Sequence, residues 1–248
     1  MPLLHNVCSS LVVVGSLIAS LLATPAQAQI EFRADPQARL PEEYRQRRQE
    51  PNYAGCPCGC NRPRLMALIP ESTPALTVST HPEFFISVPA ASEISHPPKA
   101  EVWGEFWVSH ADTQHLIYFI RLPMPEQATV LRLRLPADLP GLDIDKDYEW
   151  GFNLNCDEEY RTGVYGIVRR VAFPADIEAL GEQATPHERA THYANAGIWV
   201  EAIATLAQAR QNAPDDLEIL NDWRSLLQSA ALGPVAEQPL LYEYILEE

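Results

Sequence analysis

The spacing of apolar and polar positions changes twice along this chain. Between residues 65 and 173, short apolar and β-branched runs alternate with clusters of Pro, Gly and Asp, a pattern typical of strands joined by turns. In residues 130–135, leucine and arginine alternate, which indicates a strand whose two faces differ in polarity. The predicted strands are 65–69, 76–80, 84–88, 102–108, 116–122, 129–135, 148–156 and 164–173.

No helical period interrupts these strands, so residues 65–173 are predicted to form an antiparallel β-sandwich. Residues 142–150 resemble the turn and strand entry of immunoglobulin-like domains. In that strand, Tyr148 and Trp150 lie two residues apart and therefore share one face, where we expect them in the core.

Residues 174–232 change to a helical period. Residues 212–216 are predicted to break one helix and to cap the next. Small and large positions between Tyr193 and Pro214 resemble a single tetratricopeptide repeat, so the segment is predicted to be a tetratricopeptide-like hairpin within three helices. A single repeat is not stable alone, and we expect it to pack on the third helix, on the β domain or on a partner.

The chain begins with a predicted signal peptide, residues 1–28, cleaved between Ala28 and Gln29. Its apolar core, residues 11–23, is shorter than the roughly 20 residues that cross a bilayer. We therefore expect an exported protein of the periplasm, cell envelope or extracellular space, with no transmembrane segment after cleavage. Residues 29–64 are predicted to be a mobile arm, rich in Arg and Pro, without a packed core before Cys56. Residues 233–248 are predicted to be an acidic C-terminal tail.

The formal net charge of −15 contains no contribution from the predicted signal peptide, which has no charged side chain. An acidic protein is repelled by phosphate backbones and by anionic lipid, so nucleic-acid binding and membrane-surface binding are disfavoured.

Cleavage would leave an even set of cysteines, Cys56, Cys58, Cys60 and Cys156, which in an exported protein indicates disulfides. We expect Cys156 to pair with Cys56 or Cys60, leaving two cysteines for a local bridge. The alternative is a zinc or copper(I) site of four thiolates.

Several blocks in order carry a family resemblance: residues 65–70 (LMALIP), 76–89 (LTVSTHPEFFISVP), 146–157 (KDYEWGFNLNCD), 168–171 (VRRV) and 193–202 (YANAGIWVEA). Together they resemble a family of exported cyanobacterial proteins known as domain of unknown function 928. The resemblance implies that Cys56 pairs with Cys156, while Cys58 and Cys60 are additions to the family's pattern. It implies no activity.

Three motifs invite a chemical interpretation, and each lacks something that the chemistry requires: the spacing, particular residues or the geometry. His187-Glu188 and His192 place the two histidines five apart, whereas a zinc protease motif needs four. The acidic residues Asp143, Asp145, Asp147 and Glu149 lack the Gly and Glu that an EF-hand needs at positions six and twelve. Ser109, His110, Asp112 and His115 contain the residue types of a hydrolase triad, but proximity in a hairpin does not create triad geometry.

We therefore predict no catalytic, cofactor-binding or metal-ligating residue and no cofactor. The leading hypothesis is a non-enzymatic envelope or extracellular protein that binds an unidentified envelope protein, through the helical segment. The alternative is a glycan-binding or small-ligand-binding protein or a hydrolase of the envelope, in which Trp103, Trp107 or Trp199 stacks on sugar rings. Solvent exposure of these tryptophans separates the two hypotheses.

Overall fold

The computed structural model describes residues 29–47, 53–54, 65–94, 102–156, 161–181 and 183–244. The described strands are β1 (Tyr53–Ala54), β2 (Leu65–Ala67), β3 (Ala75–Thr77), β4 (Glu83–Val88), β5 (Trp103–His110), β6 (Leu116–Pro123), β7 (Thr129–Arg134), β8 (Asp147–Asn155), β9 (Arg161–Arg170) and β10 (Leu240–Tyr244). The helices are α1 (Glu42–Arg47), α2 (Ala175–Glu178), α3 (Pro186–Asn195), α4 (Trp199–Asn212) and α5 (Leu217–Ser229). Each of the eight segments predicted as strands overlaps one, with ends that differ by up to three residues, and the fold is a mixture of β-sheet and helix.

The strands form two five-stranded sheets. The first sheet has the order β1-β2-β4-β7-β10 and the second the order β3-β9-β8-β5-β6. Both sheets are mixed, which corrects the prediction of a purely antiparallel arrangement: β10 runs parallel to β7, and β3 runs parallel to β9. The correction has a topological reason, because each of these short strands reaches its neighbour through a long connection instead of a hairpin.

The two sheets pack face to face around aromatic side chains. The ring centroid of Phe84 in the first sheet lies 5.0 Å from that of Phe106 and 5.1 Å from that of Trp150, both in the second sheet. Tyr148 and Trp150 are buried. The prediction that both are core residues on one strand face is confirmed.

The outer face of the first sheet is covered in part by the helices. Arg132 on β7 is buried, and its Nη1 donates to Oε1 of Gln208 on α4 over 3.0 Å. Its Nε and Nη2 donate to the two carboxylate oxygens of Glu83 over 2.7 and 2.9 Å. Burial by itself would raise the pKa of Glu83, but hydrogen bonds and charge from Arg132 and Arg134 outweigh it and lower that pKa.

The helical segment has the predicted breaks and caps. Asp216 caps α5, its side chain accepting from the backbone N–H groups of Glu218 and Ile219, which confirms the cap predicted in residues 212–216. The indole N–H of Trp199, at the start of α4, donates to the carbonyl of Leu68 over 2.7 Å. The helices thus pack on each other and on the sheets of the same chain.

Glu201 fastens α4 to the second sheet. Its Oε1 accepts from the hydroxyl of Thr77 over 2.6 Å and from the backbone N–H groups of Val78 and Ser79 over 3.1 Å each. Its Oε2 is buried without a hydrogen-bond partner. Burial raises the pKa of Glu201, although these hydrogen bonds to the ionised form oppose the rise.

The described part of the predicted arm is packed against the rest of the chain. Ile30 is 1 % exposed, and its carbonyl accepts from the hydroxyl of Ser225 on α5. The ring of Phe32 meets that of Trp199 edge-on at 5.0 Å. Farther along, Tyr44 is buried. The expectation that no packed core exists before Cys56 is therefore wrong.

These apolar residues show no period because each packs on a different element of the fold. The predicted acidic tail is corrected in the same way, since residues 240–244 form β10 beside β7. Among the described residues, no helix has the length and apolar character needed to cross a membrane.

Candidate functional site

The outer face of the second sheet carries a row of aromatic side chains. On β5, alternation places Trp103, Glu105 and Trp107 opposite the buried Phe106 and Val108. Strand pairing sets Trp107 beside Phe119 on β6 and beside Gly151 on β8, and sets Gly151 beside Tyr165 on β9. We call Trp103, Trp107, Phe119 and Tyr165 the aromatic face.

Two glycines let these rings lie on the backbone of the sheet. A Cβ atom on Gly151 would come within 2.6 Å of Tyr165 Cδ1 and 2.7 Å of Trp107 Cζ2, and one on Gly163 would come within 2.6 Å of the Tyr165 hydroxyl. The rings therefore occupy the space that side chains at these positions would fill. The ring centroids of Trp107 and Tyr165 lie 6.0 Å apart, with 45° between their planes.

The aromatic face is open to solvent. Phe119 is 50 % exposed and Tyr165 is 42 % exposed, while Trp103 and Trp107 are half-buried. Trp150 and Trp199 are buried, so Trp199 does not offer a surface for stacking. Solvent exposure thus separates the tryptophans into two groups, and of these Trp103 and Trp107 are accessible to a ligand.

Polar groups at the edge of the aromatic face are held in one network. Glu105 accepts from the indole N–H of Trp103 over 3.0 Å and from Arg121 Nη2 over 2.9 Å. The guanidinium of Arg121 also lies 4.7 Å from the centroid of the Trp103 ring, a cation–π distance. Burial would raise the pKa of Glu105, but hydrogen bonds from Trp103 and Arg121 outweigh it and lower that pKa.

Tyr165 is fixed at both ends. Its hydroxyl donates to Asn153 Oδ1 over 2.9 Å, and its backbone carbonyl accepts from the hydroxyl of Tyr44 over 3.0 Å. Tyr44 packs with Leu40 on Ile167, so the segment that begins the described chain covers one end of this sheet face. Partial burial raises the pKa of the Tyr165 phenol, which keeps it a neutral hydrogen-bond donor.

In the zinc-like motif of the helices, His187 has a carboxylate partner. Its Nδ1 lies 2.9 Å from Asp222 Oδ2 on α5. Burial raises the pKa of Asp222, with the neighbouring His187 opposing the rise. Within the described ranges, no group of three or more His, Cys, Asp or Glu residues is placed to hold a metal ion.

Two of the four calcium-like acids, Asp147 and Glu149, accept hydrogen bonds through their carboxylates, from Arg169 and Gln114. Asp147 forms an ion pair with Arg169, with 2.7 Å between Oδ1 and Nε, and the hydrogen bond that Arg169 donates to Asp147 raises the pKa of Arg169. The backbone N–H of Asp143 donates to the hydroxyl of Tyr148 over 2.9 Å.

The triad-like residues serve the turn between β5 and β6. Asp112 accepts from the backbone N–H of Thr113 over 2.8 Å. The imidazole of His110 stacks near the rings of His115 and Tyr148, with centroids 6.2 and 4.9 Å away. No hydrogen bond between Ser109 and either histidine occurs in the described part of the chain.

Cys156 follows β8, is fully buried and takes part in a disulfide. Cys56, Cys58 and Cys60 lie outside the described residues, so the predicted pairing of Cys56 with Cys156 stays a prediction. Residues 1–28, including Ala28 of the predicted cleavage site, also lie outside them; Gln29 is described and lines a groove along α5.

Sequence reasoning missed Phe119 and Tyr165 as candidates. Both were assigned only to strands, as part of residues 116–122 and 164–173. Alternation along one strand says which residues share a face, but it does not say which strands are neighbours. For Tyr165 the available signal was Gly163 two residues earlier, because a glycine inside a strand often marks a place where another group approaches the backbone.

No curated protein matches this chain. A family model described as Domain of Unknown Function (DUF928) matches residues 42–240, about four-fifths of the sequence. That range includes the whole aromatic face and the helices α3 to α5. The chain therefore belongs to the DUF928 family.

Proposed function

We propose that this protein is an exported, non-enzymatic binding module of the cell envelope or extracellular space, and that its aromatic face is the contact surface. The observation that carries the proposal is the placement of Phe119, Trp107 and Tyr165 across neighbouring strands, with the outer two rings about half-exposed. Aromatic side chains and Arg are enriched at binding surfaces, since each buries a large area with few rotatable bonds.

The helical segment is the weaker candidate for this contact. Many of its large apolar side chains, including Trp199, Leu206 and Trp223, are buried inside the molecule, although Leu217 at the start of α5 is 72 % exposed. The hairpin of α3 and α4 is tetratricopeptide-like in its small and large positions, and α5 and the sheets take the place of neighbouring repeats. The surface that remains for a partner lies on the opposite side of the sandwich.

The strand order supports an immunoglobulin-like relationship for the β portion. Two sheets pack face to face, and the short β3 joins the second sheet parallel to β9 after β2 has paired in the first. In a sandwich of this kind the residues of each strand alternate between the core and the outer face, so side chains such as Trp107 are available for contact on the outer face of the second sheet.

The proposal is tested with the mature chain, residues 29–248, and a Phe119→Ser, Tyr165→Ser double variant. We expect the parent protein to be retained by an envelope fraction from the source organism and the variant to lose that retention. A Phe173→Ser variant is the matched control, since Phe173 is 52 % exposed and lies outside the aromatic face. Equal retention of parent and double variant would contradict the proposal.

Export is tested separately by N-terminal sequencing of the protein from its natural location. We expect the chain to begin at Gln29. A chain that begins at Met1 in the soluble fraction of the cytoplasm would refute export.

A further inference from the structure

The geometry points to an uncharged glycan chain as the ligand of the aromatic face. This inference rests on the proposed function and adds the chemical class of the ligand. It depends on three observations: how the rings lie, how the charges on this face are arranged, and which polar groups stand beside the rings.

The rings of Trp107 and Tyr165 cover the glycines of the sheet, as the close approach to the Cβ positions of Gly151 and Gly163 requires. A ring that covers the backbone turns one of its faces toward solvent. The negative face of an aromatic ring attracts the C–H groups of a pyranose ring laid upon it, and the large flat contact adds dispersion energy. The 45° angle between the two planes suits a chain whose successive residues are rotated against one another.

The charges on this face come in equal numbers of opposite sign, since Arg161 and Glu149, which both act on Tyr165, also oppose each other. Arg121 pairs with Glu105 over 2.9 Å and Arg169 pairs with Asp147 over 2.7 Å. The chain as a whole has a formal net charge of −15, so it repels polyanions. The aromatic face is thus a locally neutral surface on an acidic molecule, and its charge complement is a neutral ligand.

Polar groups stand within reach of hydroxyl groups on such a ligand. Asn153 lies beside Tyr165, and the ionised Glu105 presents a carboxylate held between Trp103 and Arg121. A glycan offers donors and acceptors at closely spaced hydroxyls, and the phenol of Tyr165 and the amide of Asn153 supply both kinds of partner. A few placed polar groups among rings give orientation to a ligand that the rings bind.

The test is affinity electrophoresis of the mature chain in gels that contain a soluble neutral polysaccharide: mixed-linkage β-glucan, xyloglucan, galactomannan or dextran, with alginate as the anionic control. We expect at least one neutral polysaccharide to retard the protein and alginate to leave its mobility unchanged. Trp107→Ala and Tyr165→Ala should each weaken the retarding interaction by about tenfold, the upper range for one aromatic contact. Phe173→Ala should have no effect.

Because Trp107 is half-buried, Phe119→Ala serves as a further variant that removes an exposed ring with little risk to folding. If no neutral polysaccharide retards the protein, or if the ring variants bind as well as the parent, the inference is wrong. When retention by the envelope fraction nevertheless depends on Phe119 and Tyr165 and is abolished by protease treatment of that fraction, the ligand is a protein and the proposed function stands. When neither assay depends on these rings, both proposals fail.

Discussion

At the scale of single residues, the aromatic face depends on two glycines, whose lack of a side chain leaves room for its rings. Gly151 and Gly163 lie in the middle of β8 and β9, where glycine weakens a strand. The rings of Trp107 and Tyr165 pack on the backbone at these glycines and offset the stability that the strands lose there. The same residues that bind a ligand in our proposal therefore also stabilise the sheet.

We predict that Gly151→Ala lowers the free energy of unfolding by about 1–3 kcal/mol, because the new methyl group must displace two packed rings. Denaturant unfolding measures this loss. Gly233→Ala is the control, since a Cβ added there would lie 3.4 Å from Gln228 Cγ, an ordinary van der Waals contact. An equal change in both variants would show that the rings do not press on Gly151.

A second prediction at the residue scale concerns the buried ion pair between Glu83 and Arg132. We predict that Glu83→Gln costs about 3 kcal/mol near neutral pH, because it leaves the guanidinium of Arg132 buried without its carboxylate. The pKa of Glu83 is lowered on folding from its ordinary value of 4.5. Its contribution is therefore fully present above that value and is lost as the pH falls through the folded pKa.

The difference in the free energy of unfolding between the parent and Glu83→Gln should become smaller as the pH is lowered. Urea unfolding at a series of pH values measures this difference. Glu43→Gln, at an exposed carboxylate, is the control. A constant difference at every pH would refute the assignment of this pH dependence to Glu83.

At the scale of elements, α4 is the part that joins helices to sheets. It contributes Trp199 and Gln208, which bond to Leu68 and Arg132 of the β portion, as well as Glu201, which bonds to residues 77–79. Burial raises the pKa of Glu201 and so opposes its ionisation at this contact. The stability that Glu201 contributes to the attachment of α4 therefore decreases as the pH rises, whereas the contribution of Glu83 decreases as the pH falls.

A group with a raised folded pKa contributes stability that is full below its unfolded pKa and is lost as the pH rises through the folded pKa. We predict that Glu201→Gln, which cannot ionise, gains stability relative to the parent protein as the pH rises from about 4 to about 8. Thermal unfolding across this range measures the trend. Glu126→Gln, at an exposed carboxylate, should show no such trend, and a flat difference for Glu201→Gln would contradict the prediction.

At the scale of the whole molecule, the segment that begins at Gln29 ties the parts together. Ile30 packs into the main core near α5, and Tyr44 lies against the second sheet. Helices, sheets and this segment share one continuous set of buried side chains. We therefore expect them to unfold together.

We predict one cooperative transition for the mature chain, with coincident curves from tryptophan fluorescence and far-ultraviolet circular dichroism. Ile30→Ala should lower the free energy of unfolding by about 2–5 kcal/mol, as for other deletions of a buried Ile side chain. Glu31→Ala, at the exposed neighbouring position, should change it little. If Ile30→Ala has no larger effect than Glu31→Ala, the first residues do not belong to the core.

Local pattern predicted most of the elements but not their partners. The eight strand segments and the cap at Asp216 follow from alternation and turn chemistry, which act between residues close in sequence. The packed start of the chain and β10 were mispredicted, because their apolar residues contact distant elements and show no local period. Arg132 shows the same limit, since its burial depends on Gln208 and α4.

The sequence alone is enough to assign the chain to the DUF928 family, to predict strands followed by helices, and to place Tyr148 and Trp150 on the core-facing side of one strand. It does not show that Trp107, Phe119 and Tyr165 meet on one outer face, which depends on the fold. The physical reason is that strand order and register bring together residues as far apart as 107 and 165, and pairing between distant strands is not written in the period of either one.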